Sequence, residues 1–386
     1  MIFRSIIIIG AFASFACALP LHAQQGGAKP ASSPTTGDAI DRFVPRPSGK
    51  ETKFEYSFFD TALEYMVLRM WPSTRDGSRN PDPIIGSRMN WGHTSRYRLE
   101  SNRIVFSMLE EKDITPLTEY RQDLERLGSE IDIASLPRNE QLAYWMNLHN
   151  VAVIEQIAIN YPVKSPSLPK FGPGQTPLDH AKVLTVDGIA LSPHDIRTRI
   201  VFPNWNDPDV IYGFFRGDIG GPSIQRRAYT GENLAELLGS SAREFVNSLR
   251  GLESFGKNIS VSKIYEEAAP FYFPRMDEDL RAHLAEHAAP EVSSLLAQGG
   301  EFEINRYEDT VADLAGGEKE PSYSYVELGG MPQDTRISPS IARLLGERQQ
   351  KIEQLLRDGE LRGRVIVLSP ATGEEISAEE TAPEID

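Results

Sequence analysis

The stretch NEQLAYWMNLHNVAVIEQIAINYP, residues 139–162, decides the fold of this 386-residue chain. Its apolar residues recur at spacings of three and four, which predicts an α-helix. Pro137 can occupy the first turn of that helix, and Pro162 disfavours helical geometry at the residue before it, so both ends are marked. Because apolar residues cover most of its circumference, we expect the helix to be packed on most sides at the centre of the fold.

Three polar side chains, Asn147, His149 and Asn150, interrupt this apolar surface. A buried polar group without a partner costs roughly 1–3 kcal/mol, so each of them must be hydrogen-bonded. One interpretation is structural: the two amides fasten the irregular segment 162–182, and His149 is a satisfied core histidine. The other is functional: the three side chains form the floor of a cleft that holds a ligand. The residues alone leave both interpretations open.

The first residues have the pattern of a secretory signal peptide. Arg4 precedes an apolar run, and the small-residue segment LHA at 21–23 stands before Gln24. We therefore predict a signal peptide over residues 1–23 and a periplasmic or secreted mature protein. The alternative is a lipoprotein modified at Cys17, but the segment SFA at 14–16 is a poor approach to that cysteine.

The composition excludes several classes of function. The net charge is −15, so the chain should repel nucleic acid and anionic lipid. Cys17 is the single cysteine and leaves with the signal peptide, which excludes disulfides, thiolate zinc ligands and a cysteine nucleophile from the mature protein. We expect no cofactor, no nucleic-acid partner and no stable membrane span. The expected partner is a small molecule or an envelope protein.

The sequence divides into a linker, one main domain and an acidic extension. Residues 24–50 are rich in Gly, Pro, Ser and Thr, which predicts a flexible linker, and residues 51–314 form the main domain. Residues 315–386 are predicted to be an acidic extension with one helix near 339–358 and a disordered end. KVLTVDGIALS predicts a hairpin turning at Asp187-Gly188, and DVIYGFF has the length of a third strand. We predict an α+β, mainly helical single main domain around the long central helix, with a small β-sheet.

Several stretches together resemble one known family. LAYWMNLHN at 142–150 and YPVKS at 161–165 are similar to its helix signature, and GIALSPHDIRTRI at 188–200 to its Ser-x-x-Asp-Ile segment. The segment 206–238 resembles its Asp-Pro to Ala-Tyr-Thr segment, and 303–314 is a weaker likeness of its closing strand. This family is the domain of unknown function 547, DUF547, and the resemblance covers about residues 95–314. It implies a mixed helical and strand fold and no assigned activity.

The chain departs from the family pattern at four positions. Ile211 stands where members commonly carry a histidine, and Arg216 and Gly221 stand where they carry two cysteines. Arg197 replaces the usual glutamate. If relatives use a thiol and an imidazole, this chain has lost both. The positions that match the family are structural residues or ligand contacts: Trp145, Asn147, Asn150, Asp195, Pro222 and Tyr229.

The loop GDIGGPSIQRRAYTGEN at 217–233 is a candidate binding element. Its glycines let backbone amides approach a ligand, Arg226 and Arg227 offer positive charge, and Thr230 begins a helix whose amino end favours anions. The bland alternative is that the arginines pair with surface acids and the glycines only make turns. Ser223 could be a nucleophile with His149 as its base, but the glycine of a nucleophile elbow is missing two places after the serine.

A zinc motif is the last candidate. The segment HLAEH at 283–287 matches the H-x-x-E-H pattern, which places the imidazoles of His283 and His287 on one helical face. The third ligand could be Glu360. Because the helix is strongly charged and short motifs arise by chance, we predict no metal site and keep the two histidines as weak candidates.

These observations predict an exported protein that is a non-catalytic or degenerate member of the DUF547 family. We expect it to bind a small ligand or a partner through a cleft near the central helix and the loop 216–230. The expected ligand-binding residues are Trp145, Asn147, Asn150, Asp195, Arg226 and Tyr229. The alternative is a cysteine-independent hydrolase or transferase that uses Ser223 with a histidine or an acid.

Overall fold

The computed structural model describes residues 39–47, 49, 51–79, 93–318, 326–327, 336–359 and 361. The predicted signal peptide lies outside these residues, as do most of the linker and the predicted disordered end. Within the described part the chain is a mainly helical α+β domain, as its sequence predicts. No helix in that part combines the length and the apolar character that a membrane span requires.

The helices surround one long helix in the middle of the chain. They are α1 (Ser57–Met66), α2 (Glu111–Glu130), α3 (Arg138–Ile159), α4 (Leu234–Val246), α5 (Lys263–Tyr272), α6 (Met276–His287), α7 (Pro290–Ala297) and α8 (Pro339–Arg357). Short 3-10 turns at Asp41–Phe43, Phe106–Met108, Ile133–Ser135, Leu178–His180 and Pro208–Gly213 connect them, and a π-helix runs over Ile196–Val201.

The strands are short and form small separate sheets. Strands β1 (Val67–Leu68) and β2 (Arg103–Ile104) pair antiparallel, and so do β3 (Leu184–Val186) and β4 (Ile189–Leu191). The largest sheet has three strands: β5 (Leu252–Phe255) pairs antiparallel with β6 (Asn258–Val261), which pairs parallel with β7 (Phe302–Ile304). Strands β8 (Val326–Glu327) and β9 (Arg336–Ile337) form one more antiparallel pair.

Helix α3 is the predicted central helix and is buried on all sides over most of its length. Every residue from Glu140 to Glu155 is buried, and α2 packs along it. The apolar residues of 139–162 account for this burial. They cover most of the circumference of the helix, so they leave water only when the helix is packed on most sides. The polar side chains at 147, 149 and 150 are therefore inside the protein and need partners there.

One local prediction is confirmed and one is wrong. Asp187 and Gly188 form the tight turn between β3 and β4 with backbone φ angles of 47° and 73°. The run DVIYGFF is not a strand: its first part is the 3-10 turn Pro208–Gly213. Asp207 caps that turn by accepting a hydrogen bond from the Asp209 amide at 3.0 Å, and Pro208 has the φ angle that the first helical position needs.

The two ends of the described chain pack against the domain. Ile40 and Phe43, at the end of the predicted linker, are buried, and the Phe43 ring meets Trp145 edge-on at 5.0 Å. Helix α8 confirms the predicted helix near 339–358, and its residues Ile341 and Leu344 join a small second apolar cluster with Met70. These contacts tie both ends to the main domain.

Candidate functional site

Asn147 fastens the chain near Tyr229 to the central helix. Its amide nitrogen donates to the Tyr229 carbonyl at 2.7 Å, and its amide oxygen accepts from the Tyr229 backbone N–H at 2.9 Å. The side-chain amide thus uses one donor and its acceptor to bind the backbone of Tyr229 at two points. Asn147 is fully buried and therefore stabilises the position of the loop rather than lining a surface.

Asn150 and His149 form a second set of buried hydrogen bonds. The Asn150 amide donates to the Gly213 carbonyl at 3.0 Å, and its oxygen accepts from the Phe215 N–H at 3.0 Å. The same oxygen lies 3.0 Å from Nδ1 of His149. Since Arg197 can only donate and sits 3.0 Å from Nε2 of His149, Nδ1 carries the proton and donates to Asn150.

His149 is held as a neutral structural imidazole. It is fully buried, and burial together with the Arg197 charge lowers its pKa to about 3. Both ring nitrogens are engaged by protein groups, so neither is available to a substrate. A catalytic base needs a pKa near the working pH and access to the proton it removes, and His149 has neither.

The other predicted ligand contacts are buried in the core or bound to neighbouring groups. Trp145 is fully buried, and Tyr229 is buried in the same apolar core. Asp195 is the N3 residue of a capping box with Ser192, whose N–H donates to its carboxylate at 2.8 Å, and the Lys182 ammonium pairs with the same group. Arg226 is exposed and donates to the Glu64 carbonyl at 2.8 Å. Asp195 and Arg226 therefore have structural partners in place, whereas Nε1 of Trp145 is buried without a hydrogen-bond partner among the described residues.

Ser223 lacks the partner that a nucleophilic serine needs. Its hydroxyl oxygen accepts from the Asn102 N–H at 3.3 Å and from the buried Arg250 guanidinium at 3.1 Å. Among the described residues, no imidazole or carboxylate hydrogen-bonds to it. Without a base in hydrogen-bond contact to take its proton, the hydroxyl is not activated as a nucleophile.

A network of charges lies beside the central helix, built on Arg197. This guanidinium is fully buried and donates to Glu267 at 2.9 Å and to Asp179 at 2.8 Å, in addition to its contact with His149. Arg216 binds the same Glu267 carboxylate through two nitrogens, at 2.8 and 3.1 Å. Burial opposes ionisation, but the two arginines hold the pKa of Glu267 well below its usual range. Arg197, Asp179 and Glu267 are therefore charged at neutral pH.

This network forms one side of an open cleft of about 680 Å³, which we name the Asp218 cleft. Five carboxyl groups line it, against two cationic side chains. Its walls come from the segments around 166–180, 194, 216–218, 263–267 and 307–309. The lining residues are Pro166, Ser167, Pro177, Asp179, His180, His194, Arg216, Asp218, Lys263, Glu266, Glu267, Tyr307 and Asp309.

Asp218 is the carboxyl group of this cleft whose pKa is raised rather than lowered. Its Oδ1 accepts from the Tyr307 hydroxyl at 2.7 Å and from the Gly221 N–H at 2.9 Å. Burial raises the pKa of Asp218 to about 7, although both hydrogen bonds and the Arg216 charge act in the opposite direction. The carboxyl group is therefore near half-protonation at neutral pH and can both donate and accept a proton.

Two carboxylates at the cleft differ from Glu267 because no cation neutralises them. Asp309 accepts only hydroxyl hydrogen bonds, from Ser165 at 2.8 Å and from Ser167 at 2.6 Å. Glu266 is exposed, and within the described residues neither Glu266 nor Asp309 has an ion-pair partner. We call Asp179 and Glu267, which are paired with arginines, the floor of the cleft, and we call Asp309 and Glu266 its acidic rim.

The central helix and one wall of the cleft fall in a segment with recognisable relatives. Residues 133–246 match the family described as protein of unknown function, DUF547. The match confirms the resemblance that the motifs predicted for this segment. Comparisons with curated proteins and with solved structures found no match. Because the description of DUF547 assigns no activity, the cleft has to be interpreted from its own chemistry.

Two of the departures from the DUF547 pattern are built into the cleft. Arg197 and Arg216, which stand where the family pattern has a glutamate and a cysteine, meet at Glu267. Glu267 lies beyond the DUF547 segment, as do Tyr307 and Asp309. The two arginines were a sequence signal for this cleft, because a buried positive charge needs an acidic partner.

The two histidines of the zinc motif are close together and have a third donor beside them. His283 is buried and His287 is half-buried, with ring centroids 5.2 Å apart. The third residue is Asp209, at the start of the turn 208–213, whose carboxylate lies 2.7 Å from Nε2 of His287. Glu360, which the sequence suggested as the third ligand, lies outside the described residues.

Proposed function

We propose that this protein binds a small amine-bearing molecule in the Asp218 cleft. The observation that carries the proposal is the acidic rim: Asp309 and Glu266 are carboxylates at the mouth of a cleft large enough for a metabolite, and neither has a cationic partner in the part of the chain that the structure describes. An ammonium group would supply the missing partner, and a charge-assisted hydrogen bond is roughly twice as strong as a neutral one.

The charges that line the cleft favour a cationic ligand over an anionic one. Arg216 lines the cleft, but it forms a two-point ion pair with Glu267, so its positive charge is already balanced by that carboxylate. Lys263 is the other cation of the lining, and five carboxyl groups face the same space. The net charge of −15 adds a long-range attraction for cations to this local balance.

The loop 216–230 contributes to this proposal only through its beginning. Arg216 and Asp218 line the cleft, whereas Arg226 donates to a backbone carbonyl and Arg227 pairs with Glu236 at 3.3 Å. The two exposed arginines are thus engaged by local partners, which argues against the loop as a separate anion site. The ligand-binding surface that we propose lies at 216–218 and on the segments opposite.

Thermal unfolding with a defined panel tests the proposal. The panel holds putrescine, agmatine, glucose and glutamate at equal ionic strength, and the proteins are the wild type, Asp309→Asn and the control Asp123→Asn on an exposed ion pair of α2. We expect an amine to raise the unfolding temperature of the wild type and the control, and to have less effect on Asp309→Asn. Stabilisation by glutamate alone, or an unchanged amine response in Asp309→Asn, would contradict the proposal.

A second candidate function, a hydrolase or transferase that uses acid–base chemistry, is favoured by the pKa of Asp218 near 7. In this version Asp218, not Ser223, transfers the proton, and Tyr307 holds the carboxyl group in place. Screening chromogenic esters, amides and glycosides at several pH values tests it. Activity that Asp218→Asn abolishes while amine binding persists would favour the enzyme over a pure binding protein.

We also propose that the mature protein is located in the periplasm or outside the cell. Its support is the signal-peptide pattern of residues 1–23. The mass of the protein purified from its native cell tests this: cleavage before Gln24 is expected. A mature form that begins with modified Cys17 would favour the lipoprotein, and an uncleaved form would contradict export.

A further inference from the structure

Three metal-binding side chains from two elements converge on the face of helix α6. His283 and His287 are one helical turn apart, and Asp209 comes from the 3-10 turn Pro208–Gly213 that packs nearby. One donor atom from each residue lies within 4.8 Å of the other two. These residues share none of the lining of the Asp218 cleft.

The chemistry of this set suits zinc. Imidazole nitrogen and carboxylate oxygen are both common zinc ligands, and two histidines with one carboxylate make up a three-ligand zinc site whose fourth position is filled by water. A purely oxygen-ligand ion such as Mg²⁺ or Ca²⁺ would gain little from two imidazoles. The donor set therefore selects zinc or a similar borderline divalent ion.

The partners around His283 fit a ligand histidine. Its Nε2 lies 2.9 Å from the Tyr212 hydroxyl, which in turn lies 3.3 Å from the Tyr265 hydroxyl. Its Nδ1 is buried and has no hydrogen-bond partner among the described residues. A ring that binds a cation through one nitrogen while the other is held by a hydrogen bond satisfies both positions, and this arrangement is usual for zinc-binding histidines.

We infer that Asp209, His283 and His287 bind a zinc ion that joins the turn 208–213 to helix α6. The side chains of His287 and Asp209 are 11% and 19% exposed, so an ion can reach the site from solvent. Without the ion, Asp209 and His287 hydrogen-bond to each other at 2.7 Å, and the buried nitrogen of His283 is left unsatisfied. A bound ion replaces the hydrogen bond between Asp209 and His287. It also gives the buried nitrogen of His283 a partner, which removes the free-energy cost of leaving that nitrogen unsatisfied.

The sequence pattern around these histidines would suggest a different site. In HLAEH the glutamate between the histidines is Glu286, which is exposed on α6. The structure supplies a third donor from upstream, because Asp209 begins the turn that the central helix holds through Gly213. The inferred site is a three-ligand clip between two elements, and Glu286 is not one of its ligands.

Zinc titration of the full mature chain, made without a polyhistidine tag and stripped with a chelator, tests the inference. The readouts are calorimetric stoichiometry and the unfolding temperature with and without zinc chloride. The variants are His287→Gln and Asp209→Asn, and Glu286→Gln is the matched control on the same helix. Circular dichroism confirms that each variant is folded before titration.

We expect one zinc per chain and a zinc-dependent rise of the unfolding temperature in the wild type and in Glu286→Gln. His287→Gln and Asp209→Asn should each bind zinc at least about tenfold more weakly, since each loses a direct ligand. If one of the two does not fold, the other decides. No saturable binding to the folded wild type, or binding that both variants retain, would overturn the inference.

Discussion

The central helix and the Asp218 cleft treat their polar side chains in opposite ways. On α3, the side chains of Asn147 and Asn150 are buried, and their amide groups bind backbone groups of the surrounding loops. At the cleft, half-buried Asp309 and exposed Glu266 have no ion-pair partner among the described residues, and burial raises the pKa of Asp218 to about 7. The first set is satisfied inside the protein, and the second is available to a ligand.

This difference shows that a conspicuous polar motif and a working surface need not coincide. The helix motif stands out in the sequence because polar residues interrupt an apolar pattern, and its physical role is to hold the loops that carry Tyr229, Gly213 and Phe215. The cleft residues come from segments far apart in the chain, and the candidate loop 217–233 contains only one of them, Asp218. Mutations can separate the two roles by their effects on stability and on binding.

The largest effect on stability is expected at the junction of the two regions. Replacing Arg197 by Met removes the buried charge that joins His149 to Asp179 and Glu267, and breaking a buried ion pair costs about 3–5 kcal/mol. Chemical denaturation measures the loss in free energy of unfolding. Arg126→Met is the matched control, because Arg126 also bridges two acids but on an exposed face of α2, and no measurable change is expected there.

The next largest effect tests the structural role of the central helix. Asn150→Ala leaves the Gly213 carbonyl, the Phe215 N–H and the His149 Nδ1–H without their partner, so a loss of about 3 kcal/mol in the free energy of unfolding is expected. Asn160→Ala, at the exposed end of the same helix, should leave stability nearly unchanged. Equal losses in both variants would contradict the stabilising role of the Asn150 hydrogen bonds.

A third prediction concerns pH and sharpens the description of the cleft. Because folding raises the pKa of Asp218 from 3.8 to about 7, the folded state binds the proton more tightly, and this contribution to stability is present below about pH 4 and lost as the pH rises to about 7. Asp218→Asn should remove this decline, changing the slope by up to about 1.4 kcal/mol per pH unit. Asp277→Asn, an exposed acid of α6, should retain the wild-type slope.

The smallest effect is a change in affinity without a change in stability. Lys263→Gln removes an exposed cation from the lining of the cleft, so amine binding should strengthen about two- to fivefold at low salt and less at high salt. Lys257→Gln, in an exposed turn, should leave the affinity as it was. Weaker amine binding in Lys263→Gln would contradict the repulsion between Lys263 and a bound ammonium group.

The fold was largely predictable from the sequence because its main signals are local. The apolar spacing in 139–162 predicts α3, the Asp187-Gly188 pair predicts the hairpin, and the segment 339–358 predicts α8. DVIYGFF misled because an apolar run alone does not distinguish a buried strand from a buried helical turn. Asp207 and Pro208, two residues that favour the start of a helix, were the overlooked local signal.

The cleft could not be predicted in the same way. Asp179, Asp218, Glu267 and Asp309 belong to four separate segments, and their approach depends on the tertiary packing of each segment around α3. The raised pKa of Asp218 depends on burial, which no spacing of residues reports. Before the structure, the loop 216–230 and the departures at Arg197 and Arg216 were the features that pointed to this part of the molecule.

The most direct test of the division between the two regions is a thermal-shift experiment on Asn150→Ala and Asp309→Asn side by side, with and without the amine that stabilises the wild type most. Asn150→Ala should unfold at a lower temperature and keep the ligand-induced shift, whereas Asp309→Asn should unfold near the wild-type temperature and lose most of that shift. A folded Asn150→Ala protein that has lost the shift, together with an Asp309→Asn protein that keeps it, would contradict the account and return the binding site to the central helix.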